Sequence, residues 1–241
     1  MLQKLFYIFV KVAVLFLLGL NVRRKELLPA DGPAIIVANH NSHLDTMVLM
    51  ALMPLSKLKD IKPVAAADYF FASPAKAWLS ERVLGIIPVE RGAKGKAADK
   101  AADPLEGCYR ALGEGKVLIL FPEGSRGEPE TMTDLKKGVS YLTERFPDAP
   151  VVPVFTHGLG KALPKGSFLL VPFFCDIFVG EPITWAGDRN RFMSALQDRF
   201  KKLSTEKDFC ALGVIFMPPS GALPRRRCSS SCPMCCSPVW R

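Results

Sequence analysis

The sequence predicts an α/β fold, a largely parallel central sheet flanked by helices, with an N-terminal membrane-associated helix. Three observations predict it. Short apolar runs, Ala34-Ile35-Ile36-Val37-Ala38, Val117-Leu118-Ile119-Leu120 and Val151-Val152-Pro153-Val154, alternate with longer helix-like stretches, as in units whose strands are buried on both faces. Polar residues with chemical capacity follow directly on two of those runs, at Asn39 to Asp45 and Glu123 to Arg126. Such residues gather where the carboxyl ends of parallel strands open onto a crevice. Finally, residues 5–20 are apolar except for Lys11 and include Phe6, Tyr7, Phe9 and Phe16.

That first run is short for a spanning helix, which needs about 20 residues. Lys4 and Lys11 are seven apart and share one helical face, as in a helix lying in the interface with its lysines toward headgroups. A transmembrane anchor in which Lys11 snorkels is the alternative. No small-x-small cleavage site follows the run, which argues against a signal peptide. Beyond it, residues 34–38 read as a strand, 43–53 as a helix ended by Pro54, and 61–66 as a strand. A helix at 74–83 and a strand at 86–89 come next. The stretch 97–113 reads as a helix weakened by Pro104 and Gly107. Strand 117–121, helix 136–145, strand 151–155, strands at 167–172 and 175–179, and helix 190–204 complete the pattern. The polar stretch Gly92 to Lys100 reads as a loop that offers Lys94, Lys96 and Lys100 to an anion or to solvent.

Three segments are expected: a membrane-associated helix with a basic flank (1–25), one domain (26–217), and a disordered tail rich in Arg, Cys, Ser and Pro (218–241). The net charge of +9 invites a nucleic-acid reading, but its distribution excludes it. Residues 1–25 hold five basic residues and residues 218–241 hold four, neither with an acid, and the body between is balanced at 23 against 23. Basic residues beside an apolar segment point instead to an anionic membrane surface. Four of the seven cysteines lie in the last fourteen residues, without a zinc-like spacing. Cys108, Cys175 and Cys210 are scattered, as small buried thiols in a reduced compartment would be.

The run Asn39-His40-Asn41-Ser42-His43-Leu44-Asp45 carries the chemistry. A neutral imidazole is a good general base near neutral pH, and a nearby carboxylate can hold its tautomer and stabilise the imidazolium. Ser42 and Asp45 also fit the capping box, in which a serine and an acid three residues on satisfy the first amides of a helix. The two roles are compatible. His40 and His43 form H-x-x-H, but His157 is the one further histidine and no second ligand cluster appears, so no metal is expected. The pattern G-x-S-x-G is absent, which removes a hydrolase of the nucleophile-elbow type.

A second run, Phe121-Pro122-Glu123-Gly124-Ser125-Arg126, joins the first in a specific pattern. The chain resembles the glycerolipid acyltransferase family. That family's first block, N-H-x-S-x-x-D, matches residues 39–45, and its third, F-P-E-G-[TS]-R, matches residues 121–126. Weaker second and fourth blocks fall in order at Gly85 to Arg91 and Val151 to Val154. The resemblance implies transfer of an acyl group from acyl-CoA or acyl carrier protein to the hydroxyl of 1-acyl-glycerol-3-phosphate, giving phosphatidic acid, with no cofactor. His40 is then the general base and Asp45 its orienting partner. Arg91 and Arg126 take the acceptor phosphate, Glu123 binds or orients the acceptor, Gly124 lets the backbone approach it, and Ser125 stands where threonine is commoner. Pro88 and Glu90 depart from the usual second block. Acylation of another lyso-lipid, or a non-catalytic lipid-binding module, are the alternatives. The expected location is the cytoplasmic face of a membrane.

Overall fold

The computed structural model describes residues 2–42, 44–67, 78, 84–89, 103–124, 134–163, 171 and 173–215. In chain order the elements are α1 (Leu2–Leu17), β1 (Gly19–Arg23), β2 (Ala34–Ala38), α2 (Leu44–Leu52), β3 (Ile61–Ala66), β4 (Ile87–Val89), α3 (Glu106–Gly113), β5 (Val117–Leu120), α4 (Gly138–Arg145), β6 (Val151–His157), α5 (Leu159–Ala162), β7 (Phe174–Val179) and α6 (Arg189–Ile215). The strands form one sheet in the order β1-β7-β6-β2-β5-β3-β4. Every pair is parallel except β6 with β7, so β1 and β7 run against the other five.

The apolar runs form strands because both of their faces are covered. All five residues of β2 are buried between β5 and β6, which accounts for a continuous apolar run rather than an alternating one. Ala34, Ile36 and Ala38 enter the core layer shared with α1 and α2, whereas Ile35 and Val37 enter the layer shared with α3, α4 and α6. In α6, Phe192, Leu196, Phe200 and Leu203 recur at helical spacing and are buried against the second layer. The result is a three-layer α/β/α arrangement with a largely parallel sheet, as expected.

The N-terminal segment departs from expectation. The first segment is not separate from the domain, because α1 buries Tyr7, Val10 and Val14 in the core layer of α2 and residues 19–23 form an edge strand paired with β7. Leu20 and Val22 alternate with Gly19, Asn21 and Arg23 and pack on that core, a period of two hidden between an apolar run and a basic cluster. Arg24 turns inward as well. Its Nε donates to the Val179 carbonyl at 2.7 Å and its Nη2 to Glu206 at 2.8 Å. Among the described residues no helix is long and apolar enough to cross a membrane.

Other differences are ones of extent. The helix expected over 97–113 is α3, which starts only after Pro104, where Asp103 accepts the amide of Leu105 at 2.9 Å. α6 runs to Ile215 rather than 204, since residues 205–212 contain neither glycine nor proline. β6 extends to His157 and β7 starts at Phe174. Val171, from the strand expected at 167–172, is not in a strand, and the remaining residues of that stretch lie outside the described residues. So do the helix expected at 74–83, apart from Trp78, the loop 92–100 and the tail 218–241.

Candidate active site

β2 delivers Asn39 and His40 at its carboxyl end, and α2 delivers Asp45 in its first turn. His40 Nδ1 lies 2.9 Å from Asp45 Oδ2, with the imidazole 21% exposed and the carboxylate fully buried. The same oxygen accepts the backbone amides of Asn41 at 2.7 Å and Ser42 at 2.8 Å. Ser42 Oγ in turn accepts the amide of Leu44 at 3.2 Å. Asp45 therefore completes the capping box and faces the imidazole at once. With Oδ2 as acceptor, Nδ1 carries the proton and Nε2 keeps the lone pair that a base needs.

The third block is brought to the first by two contacts. The rings of His40 and Phe121 stack with centroids 4.3 Å apart and planes inclined by 26°. The backbone amide of His40 donates to Glu123 Oε1 at 3.1 Å, and Glu123 is buried. Glu123, expected on the acceptor, thus holds the backbone of the proposed base. Phe121 to Gly124 form a turn closed by the Gly124 amide on the Phe121 carbonyl at 3.0 Å. Gly124 has φ of 71°, a left-handed conformation that favours glycine, and the side-chain end of Lys136 fills the space a Cβ there would take.

A further clamp fixes the base from the other side. Asn39 Nδ2 donates to the Thr156 carbonyl at 2.9 Å, and its Oδ1 accepts the Thr156 amide at 2.7 Å and hydroxyl at 3.1 Å. The side chain continues the β2–β6 ladder one step past the strand end. Thr156, Phe121 as a ring partner and Lys136 were not foreseen. Strand parity could have placed Thr156 on the face of Val152 and Val154, but the adjacency of β2 and β6 is not written in the sequence.

His157 ends β6 opposite Asp176 of β7 and is half-buried. Burial, helped by the charges of Asp176 and Asp45, pushes the Cys175 thiol up to about 12, and Cys108 is likewise raised to about 12. Neither is a nucleophile at neutral pH. Arg91, Ser125, Arg126 and His43 lie outside the described residues.

Comparisons with known proteins converge on the same stretch. A family profile described as Acyltransferase matches residues 19–157. The chain is 31% identical over 149 residues to a chloroplastic 1-acyl-sn-glycerol-3-phosphate acyltransferase of Arabidopsis thaliana, a match covering 61% of this chain and 38% of that protein. It is 24% identical over 205 residues to the alpha form of 1-acyl-sn-glycerol-3-phosphate acyltransferase from Ovis aries, covering 81% of this chain and 67% of that one. The chain therefore spans about two fifths of the length of the plant relative and two thirds of the animal one. The crystal structure of the 1-acyl-sn-glycerophosphate acyltransferase PlsC from Thermotoga maritima superposes with a TM-score of 0.69 at 22% identity, covering 86% of this chain and 79% of that one. That likeness is one of fold.

Proposed function

We propose, from the premise that the chain belongs to the acyltransferase family, that it moves a fatty acyl group from acyl-CoA or acyl carrier protein to the free hydroxyl of 1-acyl-glycerol-3-phosphate. The product is phosphatidic acid, a precursor for phospholipid synthesis. The observation that carries the reading is the His40–Asp45 pair, 2.9 Å apart, with the His40 backbone held by Glu123 from the third block.

His40 Nε2 takes the hydroxyl proton as that oxygen attacks the thioester carbonyl carbon. The carbon–sulfur bond then breaks, and the imidazolium returns the proton to the departing thiolate. Ester and thiol result, with no covalent enzyme intermediate. Asp45 stabilises the transient imidazolium through Nδ1–H, and the Phe121 ring restricts the imidazole plane. Arg126 and Arg91, assigned from the family blocks, meet the acceptor phosphate, for which the planar guanidinium is suited. Gly124 leaves that turn without a Cβ, and Lys136 adds a cation beside it.

Membrane attachment is part of the proposal. α1 keeps Leu5, Ile8, Phe9 and Val12 exposed, Phe9 at 71%, while its opposite face is buried on the core. A sixteen-residue helix held in that way suits a place in the interface rather than across the bilayer. The thioester donors and the unpaired buried cysteines favour the cytoplasmic side.

The test is to incubate the purified protein with a panel of lyso-lipids and labelled acyl-CoA or acyl carrier protein, and to identify products by mass spectrometry. A product one acyl group heavier than 1-acyl-glycerol-3-phosphate is expected. Acylation confined to a lyso-lipid without a phosphate monoester would reassign the acceptor, and no acylation of any member would overturn the reading.

A further inference from the structure

Val171, Phe173 and Phe174 form an exposed apolar rim at the sheet end that carries His40, and we propose that this rim is a second lipid contact. It enters the bilayer interface and sets the crevice mouth against the layer that holds the acceptor. The inference rests on the lyso-lipid reading of the site.

Phe174 is 82% exposed, Val171 45% and Phe173 36%. A large apolar cluster left in water on a folded domain marks a surface that meets something apolar. Its position follows from the topology. β7 runs against β6, so Phe174 starts its strand beside the His157 end of β6, and β6 pairs with β2, from which Asn39 and His40 emerge. The rim and the site thus share one edge of the sheet.

They also share a rigid support, α5. Leu159 and Ala162 anchor α5 in the core, Ser42 Oγ donates to the Leu163 carbonyl at 3.1 Å, and the Val171 amide donates to the Ala162 carbonyl at 2.9 Å. Gly158, with φ of 88°, abuts both the Phe174 backbone and the Phe173 ring. A displacement of the rim is thereby coupled to the loop that holds His40 and Asp45.

Two features select a lipid surface as the occupant. The first is continuity with α1: the helix ends at Leu17, and Gly19, two residues on, registers opposite Phe174. The helix proposed to lie in the interface therefore ends at the rim. The second is charge. Exposed Lys161 places its Nζ 5.6 Å from the centre of the Phe173 ring, and exposed Lys136 flanks the crevice at the Pro122–Gly124 turn. The site carboxylates Asp45 and Glu123 are buried, and Asp176 is bonded to Asn21 at 2.9 Å, so that among the described residues Asp134 is the exposed acid near the turn. Apolar rings ringed by cations suit anionic headgroups over acyl chains.

The experiment compares full-length wild type with Phe173→Ser/Phe174→Ser on vesicles of phosphatidylcholine doped with phosphatidylglycerol. Vesicle co-sedimentation is measured alongside acyl transfer to acceptor presented in those vesicles and to a short-chain, water-soluble acceptor. Partitioning of the double variant should fall about tenfold or more, the change that about 1.4 kcal/mol of lost burial produces. Transfer should fall on vesicles and persist on the soluble acceptor. A Phe174→Trp variant keeps the surface apolar, and its added fluorescence, taken as the difference from wild type, should be quenched by brominated lipid. Unchanged vesicle binding and vesicle activity in the double variant, or no quenching of the new tryptophan, would overturn the proposal. A dimer abolished by the same substitutions with vesicle binding intact would assign the rim to a second copy and overturn it too. If wild type acylates no lyso-lipid yet the tryptophan of Phe174→Trp is quenched, the reaction reading fails and the lipid contact stands.

Discussion

Asp45→Asn separates what the buried carboxylate does for the fold from what it does for the base. In the native protein Oδ2 accepts three donors, the Asn41 and Ser42 amides and His40 Nδ1. Bonds to a charged acceptor contribute about 1.5–3 kcal/mol against about 0.5–1.5 for neutral ones, so neutralising the acceptor costs about 1 kcal/mol per bond. The two backbone bonds then lose about 2 kcal/mol. The new amide group adds a further cost in either rotamer. With its oxygen toward the three donors, its NH2 takes the place of Oδ1, which has no partner among the described residues, and a buried unpaired donor costs about 1–3 kcal/mol. With its NH2 toward the donors, it opposes three N–H groups. A fall in Tm of about 6–20 °C follows for a domain of this size. Turnover falls for a separate reason, since an imidazolium and a carboxylate about 4 Å apart attract by about 4 kcal/mol at an effective dielectric of 20. Losing that attraction in the transition state slows transfer by about 10² to at most about 10³. Thermal melting and acyl-transfer rates measured below the variant's Tm give the two effects independently. A folded Asp45→Asn protein with native Tm and native turnover would show that the carboxylate supports neither the helix start nor the imidazolium.

Glu123→Ala removes the acceptor of the His40 amide and should lower kcat about tenfold for every acceptor alike, with little change in KM; a loss confined to phosphorylated acceptors would return Glu123 to headgroup binding. Arg126→Ala should instead weaken use of a phosphorylated acceptor by about 1.5–3 kcal/mol, and equal losses for acceptors with and without a phosphate monoester would contradict its assignment. Phe9→Ser and Ile8→Ser on the exposed face of α1 should reduce vesicle binding without lowering Tm, whereas deletion of residues 1–25 should unfold the domain, because Tyr7, Val10, Val14 and β1 belong to the core. A stable truncated protein by circular dichroism would count against that packing.

How far the sequence reaches is visible in the site itself. His40 and Asp45 are five residues apart, and a strand end followed by a capped helix can bring them together without knowledge of the rest of the fold. That local economy made the pair legible. Glu123 and Phe121 were legible as a block but not in their contacts, because only the pairing of β2 with β5 places them over His40. Strand parity gives Thr156 a face but no partner, since its value lies in the Asn39 clamp across β2 and β6. The N-terminal run was legible as a helix but not in its packing on the core. α1 is apolar on a buried face and on an exposed one, so its periodicity does not tell core from lipid, and Arg24 reads as surface charge until β7 and α6 close around it.

The role of His40 as the base is tested most directly by acyl transfer in His40→Ala. The variant removes the imidazole while leaving the Asn39 clamp and the backbone amide that Glu123 accepts, so folding should persist. With labelled acyl thioester and 1-acyl-glycerol-3-phosphate, wild type should form phosphatidic acid, and the variant, of native circular dichroism, should do so about 10² to 10⁴ times more slowly. A correctly folded His40→Ala protein that makes phosphatidic acid at the wild-type rate would show that His40 is not the base.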